Sequence, residues 1–194
     1  MSDQRSLRSC LADTIGVIIV LWVVELIDVI LRGLAGRTLD VYGVVPRTVH
    51  GLFGIVCAPF LHGGWQHLIA NSTTLLVLGT VALRYSRKLT SEALIAAWLG
   101  SGILTWCIGG AGTVHIGASG VIFGLLGFLL ANGVFRREIG AFVLAVVIFL
   151  LYGGALFGVL PTEQVEKLRI SWPMHLGGLL GGILASWHLR NTKA

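Results

Sequence analysis

Four polar residues sit in stretches otherwise made of apolar ones: His67 and Asn71 in QHLIAN, Ser119 in GASG, and His175 in WPMHLGG. Their types suggest acyl transfer. A serine hydroxyl is a weak nucleophile until a base takes its proton, and a neutral imidazole can do that near neutral pH. Ser119 is the candidate nucleophile and His175 the candidate base. Gly117 and Gly120 leave the Ser119 hydroxyl unshielded and free the backbone amides of a helix start, which point at an incoming anion. That is half of an oxyanion hole. His67 and Asn71 are four residues apart, share a helical face, and add side-chain donors. Glu25 and Asp28 are acids that could orient His175, but nothing in their spacing recommends them. The pattern reads as a Ser–His dyad without a third member. GASGV also lacks the last glycine of the G-x-S-x-G elbow, because Val121 stands there.

Singly, each of these residues is more often a packing residue. They become a site only if the chain brings them to one place. Of the 194 residues, 55 per cent are apolar and 12 per cent charged, and the mean hydropathy is +0.87. Soluble domains carry about 25 per cent charge, and a soluble chain of this length cannot hide so much apolar surface in one core. Lipid takes the surplus. The 27 glycines suit close helix packing in a membrane. The net charge of +5 is scattered in pairs and triplets between apolar runs, which argues against a nucleic-acid site. Cys10, Cys57 and Cys107 form no CxxC or metal signature, so no disulfide or metal site is expected. The first apolar run lacks an A-x-A site, so no cleavable leader is expected.

Six runs are long and apolar enough to cross a bilayer: 14–31, 66–83, 92–110, 117–134, 140–159 and 172–188. The expected fold is an all-α polytopic membrane protein, a six-transmembrane-helix bundle. Its expected divisions are a cytoplasmic tail over 1–13, a membrane domain over 14–189 and a tail over 190–194. Residues 32–65 are apolar but broken by glycine and proline, which predicts short interfacial helices rather than a span. The basic stretch RYSRK at 84–88, the uncharged AGTVHI at 111–116 and PTEQVEKLRIS at 161–171 read as loops. Glu25 and Asp28, three apart near the end of the first run, read as a bundle-facing or snorkelling pair.

With the N-terminus inside, the inner segments hold Arg5, Arg8, Arg84, Arg87, Lys88, Arg136, Arg137, Arg190 and Lys193. The outer segments hold Arg32, Arg37, Arg47, Lys167 and Arg169. The excess of basic residues on the inner side puts both termini in the cytoplasm. Runs two, four and six then all start at the outer side, so His67, Asn71, Ser119 and His175 share one shallow level. Gly120 with Gly124, and Gly178 with Gly182, form small-xxx-small pairs that would let run four pack against run six and join Ser119 to His175.

HGGWQHLIAN at 62–71, GASGVIFG at 117–124 and HLGGLLGG at 175–182 together resemble the rhomboid intramembrane serine proteases of bacteria. The resemblance implies a minimal six-helix rhomboid-like bundle with a membrane-embedded first loop, and Pro46-Arg47 resembles the start of that loop. It implies Ser119 as nucleophile, His175 as base, and His67, Asn71 and the Ser119 amide as the oxyanion hole. Gly120, Gly124, Gly178 and Gly182 support that pair, and His62 is structural. Many members have a tyrosine four residues after the serine; Phe123 keeps the stacking ring here and loses the hydroxyl. Transmembrane helical proteins in a lipid bilayer are the implied substrates, cut near their outer end in the bacterial inner membrane. No cofactor, metal or nucleic acid is implied, and no oligomeric state is set. Other classes remain open: a client-binding member without catalysis, a small transporter, and a glycine-packed scaffold.

Overall fold

The computed structural model describes residues 6–168 and 170–192. Arg5, Arg169 and Lys193 of the charge count lie outside them. The described residues form eight α-helices: α1 Leu7–Ala35, α2 Val49–Cys57, α3 Trp65–Tyr85, α4 Arg87–Ile108, α5 Ser119–Phe135, α6 Ile139–Tyr152, α7 Glu163–Lys167 and α8 Trp172–His188. Short 3₁₀ turns lie at Leu39–Tyr42, Ala58–Phe60 and Gly153–Val159. The architecture is an all-α polytopic bundle. Among the described residues, four helical segments are long and apolar enough to cross a membrane: α1, α3, α4 and Ile139–Val159. Val49–Phe60 and Ser119–Phe135 are shorter apolar helices.

Helix α1 begins before the apolar run because Ser6 caps it, accepting from the Ser9 amide at 3.2 Å. It ends at Gly36, whose left-handed φ of 61° turns its amide back onto the last turn. Residues 7–13 are therefore helical. Only Cys10, Thr14, Leu21, Glu25 and Asp28 of α1 are buried, a single narrow stripe. The other faces expose apolar side chains, with Ile19 56 per cent and Leu26 51 per cent accessible. Water would penalise such a surface and lipid would not.

Helix α5 is the opposite case. It is apolar all round, and twelve of its 17 residues are buried. A helix of that kind belongs at the centre, and α3, α4, α6 and α8 pack around it. Helix α8 lies in a groove between α4 and α5. A Cβ on Gly178 or Gly182 would strike the backbone of Gly120 or Gly124 in α5, and one on Gly177 or Gly181 would strike Gly100 or Ala96 in α4. Two glycine pairs on adjacent faces thus let α8 approach both neighbours at backbone distance.

Three connections differ from the loops the sequence suggests. Residues 84–88 are not an open loop: Ser86 alone separates α3 from α4, and its hydroxyl accepts from the Leu89 amide as the α4 cap. Residues 111–116 are pinned by a two-bond bridge in which Val44 and His115 exchange N–H···O contacts of 2.9 Å. Within 161–171, residues Glu163–Lys167 wind into α7. The stretch 32–65 does consist of short helical pieces. Arg47 fastens it to the α4 end by donating to the carbonyls of Cys107 (3.1 Å) and Gly109 (2.8 Å), a cation at a helix C-terminus.

Candidate active site

Gly117 precedes α5 with a φ of 118°, a conformation that side chains rarely adopt. Its amide donates to the Ala58 carbonyl at 2.8 Å. The space a side chain would occupy there is filled by the His67 ring and approached by the Asn71 amide. Two independent constraints therefore require glycine. The turn delivers Ser119 at the first position of α5, with no side chain capping the helix start, so side chains leave its early amides uncapped.

Ser119 Oγ lies 2.8 Å from His175 Nε2. His175 Nδ1 lies 3.1 Å from the Gly158 carbonyl. A carbonyl only accepts, so Nδ1 carries the ring proton and donates it, which leaves Nε2 bare to accept from the serine hydroxyl. The Phe123 ring stacks on His175 with centroids 4.0 Å apart and planes 13° from parallel. Gly158 packs on both rings, since a Cβ there would meet His175 Nδ1 and Phe123.

His67 and Asn71 occupy the first turns of α3. Asn71 is 6 per cent exposed, and its amide nitrogen is buried without a hydrogen-bond partner. The buried His62 ring meets His67 edge-on at 5.1 Å, which fits a supporting part. A cavity of about 890 Å³ is lined by Ser119, His175, His67 and Asn71 together. One cavity therefore brings together a serine–imidazole contact, a helix start that no side chain caps and an unpaired amide donor. That set can bind and attack a carbonyl and hold the oxyanion that results.

Three parts of this region carry no signal in the sequence. The Gly158 carbonyl is a backbone group, and any residue there would supply one. His115 and Ser171, on the same cavity, make a second contact: His115 Nδ1 is 2.7 Å from Ser171 Oγ. Their placement in two apparent loops concealed it. The acids Glu25 and Asp28 take no part around His175. Asp28 accepts from Thr38 Oγ1 at 2.9 Å, from the Leu39 amide and from Arg32, and thereby closes the turn after α1. Glu25 is buried 3.7 Å from Arg32.

A family model described as the Rhomboid domain matches residues 49–192. The chain belongs to the rhomboid family. The match covers every helix from α2 to α8 and includes all four polar residues of the cavity. An uncharacterized protein of Mycobacterium tuberculosis is 42 per cent identical over 176 residues, covering 87 per cent of this chain and 70 per cent of the relative. A Bacillus subtilis protein named "Putative rhomboid protease YdcA" is 35 per cent identical, covering 66 per cent of this chain and 62 per cent of its own. "Rhomboid-like protease 5" of Toxoplasma gondii is 30 per cent identical, covering 71 per cent of this chain and 16 per cent of the relative. Rhomboid membership supports an intramembrane protease activity in general terms, and the bacterial relatives support a bacterial membrane location.

Proposed function

We propose that this rhomboid protein is a serine endopeptidase that cleaves transmembrane helices near their outer end with a Ser119–His175 dyad. The observation that carries this reading is the 2.8 Å contact between Ser119 Oγ and an imidazole whose other nitrogen is committed to the Gly158 carbonyl. Six helices, α1, α3, α4, α5, α6 with its 3₁₀ extension, and α8, span the bilayer with both termini inside. The cavity then opens near the outer surface, as the distribution of basic residues favours.

A substrate helix reaches the cavity sideways and unwinds there. Lipid penalises open backbone, so residues that break helices or are small make unwinding cheaper. His175 Nε2 takes the Ser119 proton as Oγ attacks the exposed carbonyl carbon. The Ser119 amide, His67 and Asn71 hold the oxyanion. His175 returns the proton to the leaving amine, and water admitted from outside hydrolyses the acyl-enzyme by the same path. The Gly158 carbonyl keeps the ring in the tautomer that can accept, which is the part an aspartate plays in a triad.

The Ser171–His115 contact is a second serine–histidine pair on the same cavity, so it is a rival nucleophile by geometry. It lacks the surroundings. Pro173 stands at the second position of α8 and has no amide to offer an oxyanion.

Cleavage of a single-span reporter in proteoliposomes tests both readings. Ser119→Ala and His175→Ala are each expected to lower kcat by about 1,000-fold or more. A fluorophosphonate is expected to label Ser119 and not Ser171 on peptide mapping. Cleavage that survives both substitutions, or label on Ser171, overturns the dyad.

A further inference from the structure

His115 sits four residues before Ser119, and Ser171 sits four residues before His175. The two serine–histidine contacts therefore have the same separation in sequence, 56 residues each. They are consecutive rungs between the same two stretches of chain. The hydrogens of the outer rung can be assigned. Thr113 Oγ1 donates to the Gly110 carbonyl at 2.6 Å, so at 2.7 Å it must accept from His115 Nε2–H. His115 Nδ1 is then bare and accepts from the Ser171 hydroxyl. Burial pushes the His115 pKa below its ordinary value, which keeps the ring neutral at pH 7 and suits that acceptor role.

Each end of the outer rung is anchored. The His115 backbone is held by Val44, and Gly117, two residues on, is held by Ala58. The Ser171 carbonyl accepts the His175 amide at 3.1 Å, the first turn of α8. A single contact between two segments leaves them free to pivot about it. Two contacts four residues apart set both their distance and their relative rotation. The glycine contacts of α8 with α5 hold the two helices from Gly120 and Met174 onward; without the outer rung, the segments before Ser119 and before His175 lose the side-chain tie that fixes them to each other. Attack geometry is sensitive to how those segments are held.

We propose that His115 is a positioning residue for the reaction: its bond to Ser171 locks the segment before the nucleophile to the segment before the base. The proposal rests on the dyad reading above. It gives His115 no contact with the reacting atoms, and it explains why a polar pair is kept on the wall of a cavity that substrate must enter.

Kinetics on the full-length protein in proteoliposomes test it, with His115→Ala, Ser171→Ala, the double variant and Ser171→Thr. His115→Ala and Ser171→Ala are each expected to lower kcat by about tenfold with KM changed by less than about twofold. The double variant is expected to be no worse than either single one, because both remove the same bond. Ser171→Thr keeps the hydroxyl and is expected to restore most of kcat. The rate of fluorophosphonate labelling of Ser119, measured per folded molecule, is expected to fall in step with kcat. A purely structural part would lower the folded fraction and leave that rate alone. Unchanged kcat and labelling in either folded single variant overturns the proposal. So does additivity in the double variant, or a change confined to KM, which would make His115 a substrate contact. If His115→Ala does not fold, Ser171→Ala and Ser171→Thr decide the question, since the Val44 bridge is intact in both. Ser119→Ala serves as the control: cleavage at the wild-type rate in that variant sinks the dyad reading itself, whatever His115 does.

Discussion

Asn71 buries an amide donor with no partner, which costs about 1–3 kcal/mol in a folded protein. Such a donor is poorly explained by stability and well explained by an oxyanion that forms only during the reaction. Asn71→Ala is therefore expected to lower kcat by about 100-fold with little change in KM. The same substitution removes the orphan, so thermal stability should stay level or rise. A loss of stability with kcat intact would assign Asn71 to packing instead. Gly117 is the stricter position. Gly117→Ala meets both the positive φ and the His67 ring, and reporter cleavage is expected to vanish even where the protein still inserts. At Phe123, removing the ring with Phe123→Ala costs the stack on His175, about tenfold in kcat by the usual worth of an aromatic pair. Phe123→Tyr keeps the stack and should stay close to wild type. The motif residues were legible because their types are unusual in apolar surroundings. Gly158 was not, because its contribution is a carbonyl that any residue has.

Helix α8 carries His175, the proposed base, and the depth of the helix in the groove between α4 and α5 decides whether the imidazole reaches Ser119. The pair Gly178 and Gly182 was readable from its four-residue spacing. That Gly177 and Gly181 seat the other face on α4 was not, since a run of glycines does not name its partner. Gly178→Leu forces a side chain into the Gly120 backbone and should separate α8 from α5. Activity and Ser119 labelling are both expected to fall by more than about 100-fold. Gly16 has open space around it, and Gly16→Ala is the matched control. It should leave cleavage unchanged and stabilise α1 by about 0.5–1 kcal/mol, read as a higher melting temperature. Equal damage from both substitutions would mean that general helix stability, not the approach of α8 to α5, limits activity. The 3₁₀ segment after α6 is the other element that matters. It begins with Gly153 and Gly154, leaves the regular α ladder, and in doing so turns the Gly158 carbonyl onto His175.

At the scale of the molecule, orientation decides which side of the membrane the site serves. Cys107 is exposed near the end of α4, close to the loop that leads to Ser119. Lys88 lies at the opposite end of that helix and is also exposed. In a Cys10→Ala, Cys57→Ala background, an impermeant maleimide is expected to label Cys107 in intact spheroplasts. A Lys88→Cys variant made with Cys107→Ala should label only after permeabilisation. The reverse pattern would put the cavity on the cytoplasmic side and remove the basis for cleavage near the outer end.

Sequence alone determined the all-α membrane class, the family and the short list of candidate residues. Hydropathy and residue type are local properties, readable without knowing what touches what, and the three motifs carry the family in the same way. The one-residue α3–α4 joint at Ser86 and the helical start of α1 lay just beyond it, because capping depends on one side chain and an apolar window averages over many. Tertiary structure alone decided how Ser119 meets His175, which nitrogen of each histidine carries its proton, and that His115 and Ser171 repeat the contact one turn away. Those facts join residues 56 apart through backbone carbonyls, glycine gaps and rotamers. None of these is written into any one residue's identity, and each appears only once the helices have packed.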